Sequence, residues 1–255
     1  MRERRSDGYG IGALVRGVVF TTSMNLLPPQ MLLFYRATAQ DPGPETLATD
    51  GLSVTGDSAF RLWTSLEALP SGAGPVFVVD RRALHTGDHS EDARSVRVPT
   101  VPAEAFCNVD PYRPPRPVTA AGGYVGCPLP DDVALLLIHR RGVWDLPKGT
   151  KEPSESVETC ARREVCEEVG VDAVSLLRGL GTTRHGYPDG DHYAVKTTHW
   201  YLMRTPERSF EPDRREGIRH VSRARWDVAQ RHLGYDTLRC HMERVEGDVR
   251  AALEG

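Results

Sequence analysis

Glu164, Glu167 and Glu168 crowd the segment REVCEEVG at positions i, i+3 and i+4. On a helix that spacing gathers the three carboxylates within roughly 100° of one face. Like charges held so close cost an isolated helix roughly 0.2–0.5 kcal/mol per pair. A hard divalent cation, which takes oxygen ligands, accounts for such a cluster. A solvated acidic face is the plainer reading, and the surrounding residues decide between the two.

Those residues form a pattern. Gly149 is followed after five positions by Glu155 and after seven more by Arg163-Glu164. Then come Val165, one variable position, Glu167-Glu168, another variable position and Gly170-Val171. The run resembles the Nudix box, G-x5-E-x7-R-E-U-x-E-E-x-G-U with U aliphatic, at every specified position. The resemblance implies a pyrophosphohydrolase that directs water at a phosphorus of a nucleoside diphosphate linked to another moiety. It implies Mg²⁺ as the cofactor, with Mn²⁺ able to substitute on the same oxygen ligands. Such an ion neutralises phosphate charge and acidifies bound water.

The family pattern also implies roles. Glu164 and Glu168 are the principal metal ligands, Glu167 stands beside them, and the Gly149 carbonyl completes the set. Glu155 and Arg163 are structural, the arginine tying the loop to the helix. The general base of the family is often a glutamate outside the box. Glu216, in RREGIRHV, either fills that role or is a surface glutamate among Arg214, Arg215 and Arg219; Glu207 and Glu211 are weaker alternatives. Lys148 in LPKG, with Arg140 or Arg141 at the end of a strand, is expected to meet substrate phosphate.

Softer features bear on the substrate. WDLPKG before the box resembles the branch that hydrolyses dinucleoside polyphosphates and diphosphoinositol polyphosphates, and KTTHWYLM is similar to a strand of that branch. Tyr187 stands sixteen residues after Val171, where that branch has a tyrosine, and an aromatic there could stack on an adenine for roughly 1–3 kcal/mol. Pro188 fits an ADP-ribose hydrolase or simply the turn PDGD. Three functions follow: a dinucleoside polyphosphate hydrolase such as one acting on diadenosine tetraphosphate; a sanitising nucleoside triphosphate hydrolase or an ADP-ribose hydrolase; and a non-enzymatic ligand sensor on the same fold. The intact box and the lack of a basic recognition helix stand against the third.

The elements that must position these residues come next. The box helix is expected from near Ser154, as N-cap, to Gly170 as C′ residue, with Val157, Ala161 and Val165 packing on a sheet. TAAGGYVGCPL and DDVALLLIHRR read as strands, GVWDLPKG as a loop, and VSLLRGLGTTRHGY with HYAVKTTHWYLMRT as a hairpin. EGIRHV is a short strand. SRARWDVAQRHL is a helix capped by Ser222, and YDTLRCHMERVEGDVRAAL a closing helix. This is the order of the Nudix fold, a mixed β-sheet sandwiched between α-helices, over 118–255.

Ahead of it, 1–16 reads as a flexible lead-in, 17–97 as a small mixed α/β domain and 98–117 as a proline-rich connector. In 17–97, RGVVFTTSM, QMLLFYRAT and PVFVVD are strands, and SAFRLWTSLEAL is an amphipathic helix with Ser58 as N-cap. His85 and His89 lie four apart in a loop without a third metal ligand.

The chain has 255 residues, 39% hydrophobic and 26% charged, with a net charge of −3. No basic field points to nucleic acid. No apolar run is long enough to span a bilayer. The scattered, odd set of five cysteines suits a reducing compartment, so a cytoplasmic location is expected. The expected partner is a nucleotide-type small molecule, and a homodimer is compatible with the sequence. Lysine occurs only at 148, 151 and 196 in an arginine-rich chain.

Overall fold

The computed structural model describes residues 32–54, 56–84 and 94–254. The expected strand RGVVFTTSM, the lead-in and the pair His85 and His89 lie outside them. The N-terminal part comprises β1 (Leu32–Arg36), α1 (Pro44–Asp50), β2 (Leu52–Ser53), β3 (Phe60–Trp63), β4 (Val76–Asp80), β5 (Ser95–Val98) and β6 (Thr100–Val101). Four of these strands form a sheet in the order β4-β1-β3-β5, and β2 pairs with β6.

The helix expected over SAFRLWTSLEAL is instead the strand β3. Its short apolar run suits either period, and β1 and β5 supply edges on both sides, with Phe34 opposite Trp63 and Leu62 opposite Val96. Only Leu62 of this strand is fully buried, and Ser58 caps no helix. Val98, Val101, Ala105, Phe106 and Val109 bury into one cluster with Leu33, Leu62 and Phe77. The first part of the proline-rich segment therefore belongs to this core.

The C-terminal part begins with β7 (Pro115–Leu129) and β8 (Asp132–Arg140), then β9 (Val143–Asp145), β10 (Lys148–Thr150) and α2 (Val157–Val169). It continues with β11 (Ser175–Asp189), β12 (His192–Arg204), β13 (Ile218–Arg225), α3 (Trp226–His232) and α4 (Asp236–Glu254). Seven strands form one mixed sheet along β11-β12-β7-β8-β13, with β10 on β7 and β9 on β8. β12 runs parallel to β7, and the other pairs are antiparallel. The segment expected as the loop GVWDLPKG thus contributes two short strands.

The run VALLLI in β8 is apolar throughout because both faces of the sheet are covered. Leu136 and Ile138 pack with Val165 and Val169 of α2, whereas Leu135 and Leu137 pack with Trp226 of α3 and Met242 of α4. Ser156, not Ser154, caps α2, its Oγ accepting from Thr159 N at 3.1 Å. Gly170 ends α2 in the left-handed region, φ 74°, which glycine adopts without a Cβ penalty. Ser222 is no helix cap: it pairs with Leu137 inside β13, and α3 starts at Trp226. The alternating sequence SRAR satisfies an edge strand beside β8 before the apolar face of α3 begins. Among the described residues, no helix is long and apolar enough to cross a membrane.

His241 of α4 is 2% exposed, and its Nδ1 lies 2.7 Å from Tyr124 Oη. Burial first, and then the Arg244 charge, push the imidazole down from 6.5 to about 3. Stability from the neutral ring is fully present above pH 6.5 and falls as pH drops from there toward 3. Between pH 6.5 and 5 the loss is about 2 kcal/mol, from 1.36 kcal/mol per pH unit. Denaturant unfolding at pH 7 and pH 5 measures it, and His241→Gln should reduce the difference.

Candidate active site

The box folds around Arg163, on the second turn of α2. Its Nη2 donates to Glu155 Oε1 at 2.6 Å and to Thr150 O at 3.3 Å. Its Nη1 donates to Glu164 Oε1 at 2.9 Å and to Glu167 Oε2 at 3.1 Å. Glu155 in turn accepts from Glu152 N at 2.7 Å. The paired guanidinium holds the Glu155 carboxyl down at about 2. One planar, five-donor group thus joins the loop before α2 to the helix itself, a geometry an ammonium cannot reproduce. Arg163→Ala should destabilise the protein by about 2–3 kcal/mol, the scale of lost hydrogen bonds to charged groups. Arg163→Lys should recover less than half of that, as read by denaturant unfolding.

Glu168 lies deeper, 1% exposed. Its Oε1 accepts from Arg140 Nη1 at 2.9 Å and its Oε2 from Lys148 N at 2.7 Å. Burial outweighs these two partners and pushes the carboxyl up to about 7. Glu164 is also raised, by burial, against the pull of Arg163. Glu167 is the exposed member of the three. Gly149 passes so close to Glu164 that a Cβ there would sit 1.8 Å from Oε2.

Among the described residues no three carboxylate, histidine or cysteine side chains converge tightly enough to hold a metal ion as they stand. Arg163 takes Glu164 Oε1, and Arg140 Nη1 and Lys148 N take the two oxygens of Glu168. The donor set still fits a hard cation: two buried carboxylates, a third at the rim, and a glycine backbone without room for a side chain. Arg140 also donates to Glu216 Oε2 at 3.4 Å, so the structure brings Glu216 beside the box. Glu207 instead accepts from Asp172 N at 2.9 Å, tying a loop.

A cleft of about 790 Å³ adjoins the box. Arg140, Arg141, Lys148 and Tyr187 all line it. Arg141 sits in a turn with φ 51°, and Tyr187 stacks on His185, with ring centroids 5.9 Å apart and planes at 25°. Sequence reasoning missed further lining residues: Asp145, His185, Lys196, Tyr235 and Arg82. Asp145 holds Lys148 Nζ at 2.7 Å, and Lys196 Nζ donates to Thr150 Oγ1 at 3.3 Å. Lysine scarcity was the available signal for Lys196. The lining carries five cations (Arg82, Arg140, Arg141, Lys148 and Lys196) against the acids Asp145 and Asp236, a balance suited to a polyanion.

The NUDIX domain model matches residues 122–235. A putative mutator protein MutT4 of Mycobacterium tuberculosis is 43% identical over 94 residues, covering 34% of this chain and 38% of that protein. An 8-oxo-(d)GTP phosphatase of Mycolicibacterium smegmatis is 36% identical over 87 residues, covering 32% of this chain and 27% of that protein. The chain thus spans well under half the length of either relative. A solved Ap4A hydrolase of C. elegans, in a binary complex, aligns at 16% identity with a TM-score of 0.44, covering 52% of this chain and 98% of that one.

Proposed function

We propose, from the match of residues 122–235 to the NUDIX domain model, that the chain is a pyrophosphohydrolase that cleaves a phosphoanhydride of a nucleoside polyphosphate with water. One observation carries the reading: a complete box whose most deeply buried carboxylate, Glu168, lies against Arg140 and Lys148, both of which also line a cationic cleft. Glu164, Glu167 and Glu168, with the Gly149 carbonyl, would hold Mg²⁺ or Mn²⁺. When bound, such an ion supplies charge neutralisation at the phosphates and acidifies water.

The remaining roles fall to the chain itself. Lys148, Arg140 and Arg141 orient the phosphates by charge-assisted hydrogen bonds. Glu155 and Arg163 fix the loop before the helix. Glu216 accepts the proton of the attacking water; the new bond forms at phosphorus, and the bridging oxygen leaves with its electron pair on the departing phosphate. Tyr187, backed by His185, offers a face to a base.

The name of the Mycolicibacterium smegmatis relative, an 8-oxo-(d)GTP phosphatase, favours an oxidised purine nucleoside triphosphate. Tyr187 in the cleft favours a dinucleoside polyphosphate as the second reading. A panel of 8-oxo-dGTP, dGTP, diadenosine tetraphosphate and ADP-ribose with Mg²⁺ or Mn²⁺ separates them by product. Pyrophosphate plus 8-oxo-dGMP supports the first reading, and ATP plus AMP from diadenosine tetraphosphate supports the second. No cleavage of any member overturns both.

A further inference from the structure

Among the described residues that line the cleft, only Arg82 comes from the part of the chain before β7. Its placement is fixed from two directions. Leu32, Phe34 and Val78 of the N-terminal sheet bury against Tyr193 and Val195 of β12, the strand that then supplies Lys196 to the cleft. Arg184 Nη1 donates to Thr64 O at 2.6 Å, and Arg113 Nε donates to Gly190 O at 3.0 Å, which ties the same hairpin to the N-terminal part.

The side chain itself is aimed by Asp80. Asp80 Oδ1 accepts from Arg82 N at 2.9 Å and from Nε at 3.0 Å, and Oδ2 accepts from Nη2 at 2.6 Å. An exposed ion pair two residues apart adds little stability. Its effect here is orientation, since Asp80 engages the Nε and Nη2 edge and not Nη1. A guanidinium held this way presents a planar donor array to a phosphate.

We propose that Arg82 is a substrate-binding residue that takes a phosphate beyond the scissile anhydride, which makes the N-terminal unit part of the specificity machinery. The inference rests on the pyrophosphohydrolase reading above. The ligand chemistry is that of a polyphosphate of three or more phosphates, which carries a phosphate beyond the anhydride being cleaved.

The test uses the full chain and inorganic tripolyphosphate, with binding followed by calorimetry without divalent ions, for wild type, Arg82→Ala and Arg82→Lys. Loss of one charge-assisted contact should weaken tripolyphosphate binding about tenfold in Arg82→Ala and less in Arg82→Lys. Binding of inorganic pyrophosphate should change less than about threefold, and KM for a turned-over nucleoside polyphosphate should rise about tenfold with kcat within about twofold. Equal tripolyphosphate affinity in wild type and a folded Arg82→Ala, with wild type active, would overturn the role of Arg82 alone. A wild type that neither binds tripolyphosphate nor cleaves any nucleotide would overturn the underlying reading, and this inference with it.

Discussion

Glu168→Gln is expected to lower turnover on the order of a thousandfold while leaving the protein folded. The side chain is buried between Arg140 Nη1 and Lys148 N, and as a ligand it would supply charge that an amide lacks. Metal-assisted stabilisation of a phosphoryl transition state is worth several kcal/mol, and about 1.4 kcal/mol is a factor of ten in rate. Stability should move in the other direction or hardly at all. Burial already disfavours the Glu168 charge, so an amide of the same shape avoids that desolvation. The amide oxygen can still accept from Lys148 N, and Arg140, which loses its acceptor to the amide nitrogen, keeps Glu216 as a partner at 3.4 Å. The melting temperature should therefore change by no more than about 4 °C, which corresponds to roughly 1 kcal/mol in a chain of this size. A variant that unfolds would instead make Glu168 a structural residue.

Gly149→Ala is expected to have the second-largest effect, and through a single clash. The Cβ would meet Glu164 Oε2 at 1.8 Å and Cδ at 2.0 Å. Backbone conformation is not the obstacle, because Gly149 is not among the positive-φ residues. Glu164 must swing away from Arg163, at a cost of about 1–3 kcal/mol, typical of overpacking. Turnover should fall by about a hundredfold or more as Glu164, a ligand in the proposed metal site, leaves its place. The cause can be isolated with a double-mutant cycle. In a Glu164→Ala background, Gly149→Ala should cost little further stability, because the clashing atoms are gone. Additive losses would mean that the alanine disturbs β10 or its pairing with β7 instead.

The parts of the molecule that were legible in sequence are those written locally. Helix α2 carries its apolar line and its left-handed glycine within one short segment, although its cap is Ser156 and not Ser154, and the hairpin β11–β12 closes at a turn of strong turn-forming residues. The resemblance of the box to its family implies that Arg163 ties loop to helix, and its guanidinium donates to Glu155 and Thr150 on one side and to Glu164 and Glu167 on the other. What could not be read depends on residues distant in sequence. FRLW becomes strand β3 because β1 and β5 flank it, and SRAR becomes the end of β13 because β8 offers an edge. Lys196 and Arg82 reach the cleft from β12 and from the end of β4, and no spacing rule relates either to the box. Even Asp145, three residues before Lys148, gains its meaning only when the short strands β9 and β10 bring the two side chains to 2.7 Å.

Titration of the 255-residue chain with Mn²⁺, followed by electron paramagnetic resonance, tests the carboxylate cluster most directly, because it reads the ion and not the reaction. Wild type should bind Mn²⁺ with the signal of an oxygen-ligated ion, and Glu164→Gln and Glu168→Gln should each weaken that binding severalfold or more. Mn²⁺ binding that is absent from the folded wild type, or unchanged in both variants, would contradict the assignment of this helix face as the metal site.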